Sequence, residues 1–214
     1  MARRDWLIPL LLTIFAVMPL IPGAFRLVEL GGGPHLLPAN PRAAGAPLPV
    51  IIHIVSAFFY TVFGAWQFSP ALRRNAWHRR AGRLLAPLGL AAALSGLWMT
   101  LGYPTAPEYD PILMPIRLAV GSFMAASIVL ALIAIIVRRD VPAHRAWMMR
   151  AYAIGLGAAT QMFVFIPLAP FGTPEPFAAS LLLSMGWVIN LMIAEWLIRR
   201  STHRRTAAVA VAAE

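Results

Sequence analysis

The sequence predicts an all-α polytopic membrane protein, a bundle of about six transmembrane helices with both termini in the cytoplasm. Three observations predict this fold class. Hydrophobic residues make up 60% of the 214 residues and charged residues only 12%, about half the charged share of a soluble domain. The mean hydropathy is +0.73. Apolar runs long enough to cross a hydrocarbon core recur along the chain, and arginine-rich segments separate alternate pairs of them.

We expect one transmembrane domain over residues 1–205 and a disordered, alanine-rich tail over residues 206–214. The expected spans are residues 6–25, 48–69, 84–103, 112–137, 147–168 and 177–198. Three prolines should kink span one or leave its outer end irregular: Pro9, Pro19 and Pro22. A cleaved signal peptide is the alternative for this segment, because arginines precede its apolar run.

The basic residues are all arginine, and the formal net charge is +10. They cluster at the ends of apolar runs, which predicts that they orient the spans and contact anionic lipid headgroups at the inner face rather than nucleic acid. The headgroup candidates are Arg79, Arg83, Arg145 and Arg150. Arg117 lies inside an apolar run near its outer end, and we expect it to reach the outer headgroups or to pair with Glu108 or Asp110.

The absence of cysteine excludes disulfides, thiolate catalysis and iron–sulfur ligation. The sequence also has no Walker loop, zinc-protease motif, nucleophile elbow or dinucleotide fingerprint. We therefore expect no metal site and identify no catalytic residue.

Span two carries a stripe of polar and small residues. His53, Ser56, Tyr60, Gly64 and Gln67 follow one another at helical spacing and so share one face. This face should turn into the bundle, where it lines a cavity or packs against another helix or subunit. In span three, Gly82, Gly89 and Gly96 recur at a heptad interval, which predicts a close helix approach.

The ligand or cofactor candidates are polar residues of span two and histidines of the inner loops: His53, Tyr60, Gln67, His78 and His144. A neutral imidazole can ligate haem iron, bind a quinone carbonyl or relay protons. Hydrogen bonding between helices is the alternative for His53, and lipid anchoring for the other two histidines. His53 should lie about 8 Å below the outer surface and about 35 Å or more from His78, so these two histidines cannot share one haem. Asp140 is a candidate to orient an inner-loop histidine.

An arginine pair followed by a His-Arg pair occurs three times. The first two occurrences end in His78-Arg79 and His144-Arg145, and the third in His203-Arg204. Either a two-helix hairpin was duplicated, or arginine-rich inner loops arose by topology alone.

These elements resemble a known family. The order His53, Gly64, Gln67, an HRxxGR element at His78 and an HRxWMxR element at His144, over about residues 51–161, is similar to the predicted bacterial membrane proteins catalogued as domain of unknown function 2306. The resemblance implies a multi-pass protein of the bacterial inner (cytoplasmic) membrane and implies no reaction. Members often carry an arginine after the threonine of span five, where this chain has Gln161.

Two function classes follow. The first is a non-enzymatic membrane protein, such as a small transporter, sensor or assembly partner, in which the polar face of span two turns into the bundle. The second is a redox protein that holds haem or quinone through His53 or the His78 and His144 pair. The lack of a histidine partner at the depth of His53 favours the first. A homo-oligomer or another membrane partner is open in both.

Overall fold

A computed structural model describes residues 4–73, 75–104 and 106–211. The described residues form helices and short connections, with no strand. The helices are α1 (Arg4–Val17), α2 (Leu20–Leu30), α3 (Pro41–Gly45), α4 (Pro47–Trp66), α5 (Pro70–Arg73), α6 (Ala76–Gly102), α7 (Leu113–Ile136), α8 (Val141–Gly155), α9 (Gly157–Phe165) and α10 (Pro176–Val211). A 3₁₀ helix at Ile166–Phe171 follows α9.

Four of these helices, α4, α6, α7 and α10, are each long and apolar enough to cross a membrane. Two bent pairs also pass this test when their halves are taken together. Helices α1 and α2 meet at 43°, and α8 with the segment after it meets at 40°. With each bent pair counted as one span, the described chain has six spans, which agrees with the predicted all-α polytopic bundle.

The two breaks have different causes. Span one breaks between Val17 and Leu20, at the expected Pro19, whose ring removes a backbone donor and clashes with the preceding turn. Span five breaks at Leu156 with no proline present. A Cβ atom at the next residue, Gly157, would lie 2.3 Å from the Trp187 ring. Gly157 therefore lets α10 approach closely at this break.

Two helices begin earlier in the chain than the expected spans. Helix α6 begins at Ala76 rather than residue 84, and α8 begins at Val141 rather than residue 147. Consequently His78 and His144 lie in the first turns of helices instead of in loops. At α8 the cause is local, because the Asp140 carboxylate caps the helix by accepting a hydrogen bond from Ala143 N at 2.9 Å.

The chain after span six also differs from expectation. Helix α10 continues to Val211, so the tail predicted to be disordered is helical over residues 206–211, while residues 212–214 lie outside the described part. Alanine dominates this segment and has the highest helix propensity of the residues.

Both ends of the described chain lie at one end of the bundle. The Trp6 ring packs edge-on against Trp66 with centroids 5.2 Å apart, and Glu195 pairs with Arg150. We call this the arginine-rich end, which contains residues 67–73 and the connection 137–140. The opposite end, which contains residues 31–46 and 106–112, is called the far end.

Candidate functional site

The spans enclose a cavity of about 520 Å³ that extends from the far end toward the middle of the bundle. This volume lies within the range of small-molecule pockets, roughly 300–1,000 Å³. Most of the lining is aliphatic or aromatic. The side chains that bring polar atoms to the lining are Asn40, Arg42, His53, Tyr60, Thr61, Thr100, Tyr103, Arg117, Gln161 and Trp187.

The polar face of span two turns into the bundle, as predicted. Ser56, Tyr60 and Gly64 are buried, whereas Val55 and Phe59 on the opposite side are exposed as lipid-facing residues would be. Of the five residues in the predicted stripe, His53 and Tyr60 line the cavity. Gly64 instead packs against the Tyr152 ring, whose hydroxyl donates to Thr61 O at 2.7 Å.

His53 is held by span three. Its Nδ1 lies 2.9 Å from Ala92 O and 3.3 Å from Ser95 Oγ. Because a carbonyl oxygen can only accept, Nδ1 carries the proton and donates it, and Nε2 is the unprotonated acceptor of the neutral ring. A Cβ atom at Gly96 would lie 3.5 Å from His53 Cε1, so this glycine leaves room beside the imidazole.

Tyr60 is 1% exposed and lies between two glycines. A Cβ atom would come within 2.6 Å of its ring at Gly89 and within 3.1 Å at Gly155. Among the described residues, no hydrogen-bond partner reaches the Tyr60 hydroxyl. A buried hydroxyl without a partner carries a desolvation cost, and this one belongs to a residue that lines the cavity.

Gln67, His78 and His144 lie outside the cavity, at the arginine-rich end. His144 Nδ1 donates to Ala131 O at 2.9 Å, which ties α8 to α7. His78 and His144 are close enough to interact electrostatically. His78 Nδ1 and Gln67 Nε2 are buried and have no hydrogen-bond partner within the described chain. The Asp140 carboxylate caps α8 and, among the described residues, forms no hydrogen bond with a histidine side chain, so the structure does not support the orienting role considered for it.

The four headgroup candidates differ in their surroundings. Arg79 and Arg83 are exposed, whereas Arg145 and Arg150 are half-buried. Arg150 forms two hydrogen bonds with Glu195, Nε to Oε1 at 2.5 Å and Nη2 to Oε2 at 3.1 Å. Its guanidinium also lies 4.6 Å from the Trp147 ring centroid. Arg150 therefore joins α8 to α10, and two of its N–H donors are engaged by Glu195.

Two residues that the structure singles out, one in the cavity lining and one between helices, were not identified from sequence. Arg42 lines the cavity from the five-residue helix α3. A helix this short has no periodic sequence pattern that could have marked Arg42. Asn190 accepts from Thr160 Oγ1 at 2.7 Å and donates to Ala153 O at 3.0 Å, which joins the two halves of span five to α10. The sequence did contain a signal for Asn190, because a polar amide inside an apolar run usually bridges helices.

Apolar helices around an internal cavity define the class, an α-helical polytopic membrane protein. The chain belongs to the family described as "Predicted membrane protein (DUF2306)", whose model matches residues 50–198. This match includes His53 and both His-Arg elements of spans two to five, and it extends beyond Gln161 through span six. No curated protein and no solved structure matches the chain.

Proposed function

We propose that this chain is a non-enzymatic protein of the bacterial inner membrane, a small transporter, sensor or assembly partner, that binds a small molecule between its spans. The supporting observation is the cavity of about 520 Å³, into which span two brings His53 and Tyr60. Apolar walls with a few convergent polar groups are typical of ligand pockets. The Ser95 hydroxyl lies 3.3 Å from His53 Nδ1, but it donates to Ala91 O at 2.6 Å, so it is not arranged as a nucleophile activated by His53.

We also propose the orientation of the bundle. Arginines cluster in the connections at the arginine-rich end, and Arg79, Arg83 and Arg138 are exposed there. Positive loops stay in the cytoplasm, where anionic lipids attract each such charge by about 1 kcal/mol. On this basis both termini face the cytoplasm, and the cavity lies toward the outer face.

Filling the cavity provides the test. Gly96 lines the cavity, and Gly96→Leu should occupy the space beside His53. Gly82→Leu is the matched control, because Gly82 is on the same helix and a Cβ atom there would meet nothing within 4 Å. The full-length protein in detergent-free nanodiscs is titrated with dodecanol, a neutral amphiphile, and the thermal unfolding midpoint is recorded.

A molecule that binds the native state alone raises the midpoint as its concentration rises. We expect this rise in the wild type and in Gly82→Leu, and its loss in Gly96→Leu. An equal rise in all three proteins would show that dodecanol acts through the bilayer, and the cavity would not be a binding site.

One observation favours the alternative redox function. His53 donates Nδ1–H to the Ala92 carbonyl, and histidines that ligate metals commonly donate their other nitrogen in this way. Haem or quinone at Nε2 would make the chain a redox protein. Against this, no second histidine among the described residues lines the cavity.

An optical spectrum of the purified protein separates the two functions. A Soret band that shifts on reduction with dithionite and disappears in His53→Gln would replace the first proposal with the second. A spectrum without that band excludes haem.

A further inference from the structure

Two arginines line the far end of the cavity. Arg42 is on the short helix α3 and Arg117 is in the first half of α7. Both side chains are partly buried, and they are close enough for Arg42 to repel Arg117 electrostatically. The chain therefore places two positive charges together at one end of an apolar cavity.

Neither charge is neutralised by a carboxylate of the described residues. Within the described residues, no carboxylate lies within 4.0 Å of Arg42 or Arg117. Arg42 donates to Pro104 O at 3.1 Å, and the Arg117 guanidinium lies 5.6 Å from the Tyr109 ring centroid. The nearby Asp110 carboxylate accepts instead from Ile112 N at 2.9 Å.

Paired like charges that are partly removed from water are unfavourable unless an anion joins them. The planar guanidinium group suits carboxylate and phosphate oxygens, to which it can donate two parallel hydrogen bonds. An anion bound at this site would supply such oxygens.

The shape of the cavity indicates what is attached to the anion. Along span two the lining extends from Val50 to Thr61, which corresponds to about 16 Å of helix at 1.5 Å per residue. This length is close to half of a hydrocarbon core of roughly 30 Å, the depth of one leaflet. Beyond the arginines the walls are mainly apolar, as an acyl chain requires.

We infer that the cavity binds a single-chain amphiphile whose anionic headgroup, a carboxylate or a phosphate, is held by Arg42 and Arg117 while its acyl chain extends toward Tyr60. This inference rests on the proposed function of the cavity and specifies its ligand class. The headgroup enters at the far end, so the amphiphile comes from the leaflet on that side of the membrane. A fatty acid supplies the carboxylate, and a lysophospholipid supplies the phosphate.

The test compares three ligands with one chain length and different headgroups. The full-length protein in nanodiscs of neutral lipid is titrated with dodecanoate, dodecyl phosphate or dodecanol. Binding is measured as the rise in the thermal unfolding midpoint of the wild type, compared with the rise in Gly96→Leu. Charge-assisted hydrogen bonds are stronger than neutral ones, so we expect at least one of the two anions to bind about 10- to 100-fold more tightly than dodecanol.

Substitutions then assign the preference to the two arginines. Arg42→Gln and Arg117→Gln should each reduce anion affinity about tenfold or more and leave dodecanol affinity unchanged. Arg117→Lys should retain most of the preference, since it keeps the charge. Arg138→Gln is the matched control, because it removes an exposed arginine at the opposite end of the bundle, and it should change neither affinity.

The outcomes separate this inference from the proposed function. Equal binding of dodecanol and both anions by the wild type overturns the anionic headgroup and leaves the cavity as a ligand site. If neither class of ligand distinguishes the wild type from Gly96→Leu, both proposals fail. A wild-type preference for either anion that persists in both glutamine variants also overturns the role of the arginines. The wild-type comparison decides the inference even if a glutamine variant does not fold.

Discussion

The packing of Tyr60 against Gly89 predicts that even a methyl group at this glycine will destabilise the bundle. A Cβ atom at Gly89 would lie 2.6 and 2.8 Å from two Tyr60 ring atoms and 3.0 Å from Ile128 Cδ1. Gly155 lies on the other side of the ring, where a Cβ atom would be 3.1 Å from it, so the ring has little room to move away from Gly89. Overpacking of this kind costs about 1–3 kcal/mol, while glycine to alanine in a helix gains about 0.5–1 kcal/mol. Gly89→Ala should therefore lose up to about 2.5 kcal/mol, and Gly89→Leu should lose more.

Reversible unfolding in mixed micelles measures this free energy, and Gly82→Ala is the control. A Cβ atom at Gly82 would meet nothing within 4 Å, so this variant should gain the helix-propensity term of about 0.5–1 kcal/mol. The two alanine substitutions on one helix should thus have opposite signs. Removing the ring with Tyr60→Ala should abolish the penalty of Gly89→Ala, a non-additive coupling. Equal stabilisation by Gly89→Ala and Gly82→Ala would refute the predicted close contact.

Two further predictions concern hydrogen bonding and orientation. Tyr152→Phe removes the hydrogen bond to Thr61 O and should lower the free energy of unfolding by about 1 kcal/mol in the same micelle assay. Tyr60→Phe removes a hydroxyl that has no partner in the described chain and should leave that free energy unchanged. Equal losses would contradict the finding that only the Tyr152 hydroxyl is hydrogen-bonded. Because the chain has no cysteine, single-cysteine variants can report which side of the membrane a residue faces. In intact spheroplasts, a membrane-impermeant maleimide should label Glu108→Cys but not Arg138→Cys. The reverse labelling pattern would invert the proposed orientation.

Helix geometry explains what could be predicted from the sequence. A face defined by steps of three and four residues stays together on any regular helix, so the inward direction of the span-two stripe was predictable. The heptad of glycines was also informative, but only in part. Gly89 contacts Tyr60, and a Cβ atom at Gly96 would contact His53, whereas Gly82 has open space around it. Helical phase therefore identified the face, and the partner helix decided which of its positions pack closely.

The cavity could not be predicted in the same way, because part of the lining at its far end comes from the connection between spans one and two, which has no regular sequence pattern. Arg42 precedes span two in a loop rich in glycine and proline, and its hydrogen bond to Pro104 joins residues that are distant in sequence. Arg117 was noticed as an ionisable residue within an apolar run, but the expected pairing with Glu108 or Asp110 was wrong. The structure instead places its guanidinium over the Tyr109 ring. Propensity and periodicity carry no information about such contacts between loops.

The three His-Arg pairs show where sequence similarity and structural equivalence differ. His78 and His144 both lie in the first turn of a helix after a short connection, but His203 lies within α10. His144 Nδ1 donates to Ala131 O of the preceding helix, whereas His78 Nδ1 has no hydrogen-bond partner among the described residues. A duplicated hairpin that kept its packing would repeat this bond at His78. The arginines recur wherever the chain turns at the arginine-rich end, while the histidine hydrogen bond is made in the α7–α8 hairpin and not in the first turn of α6.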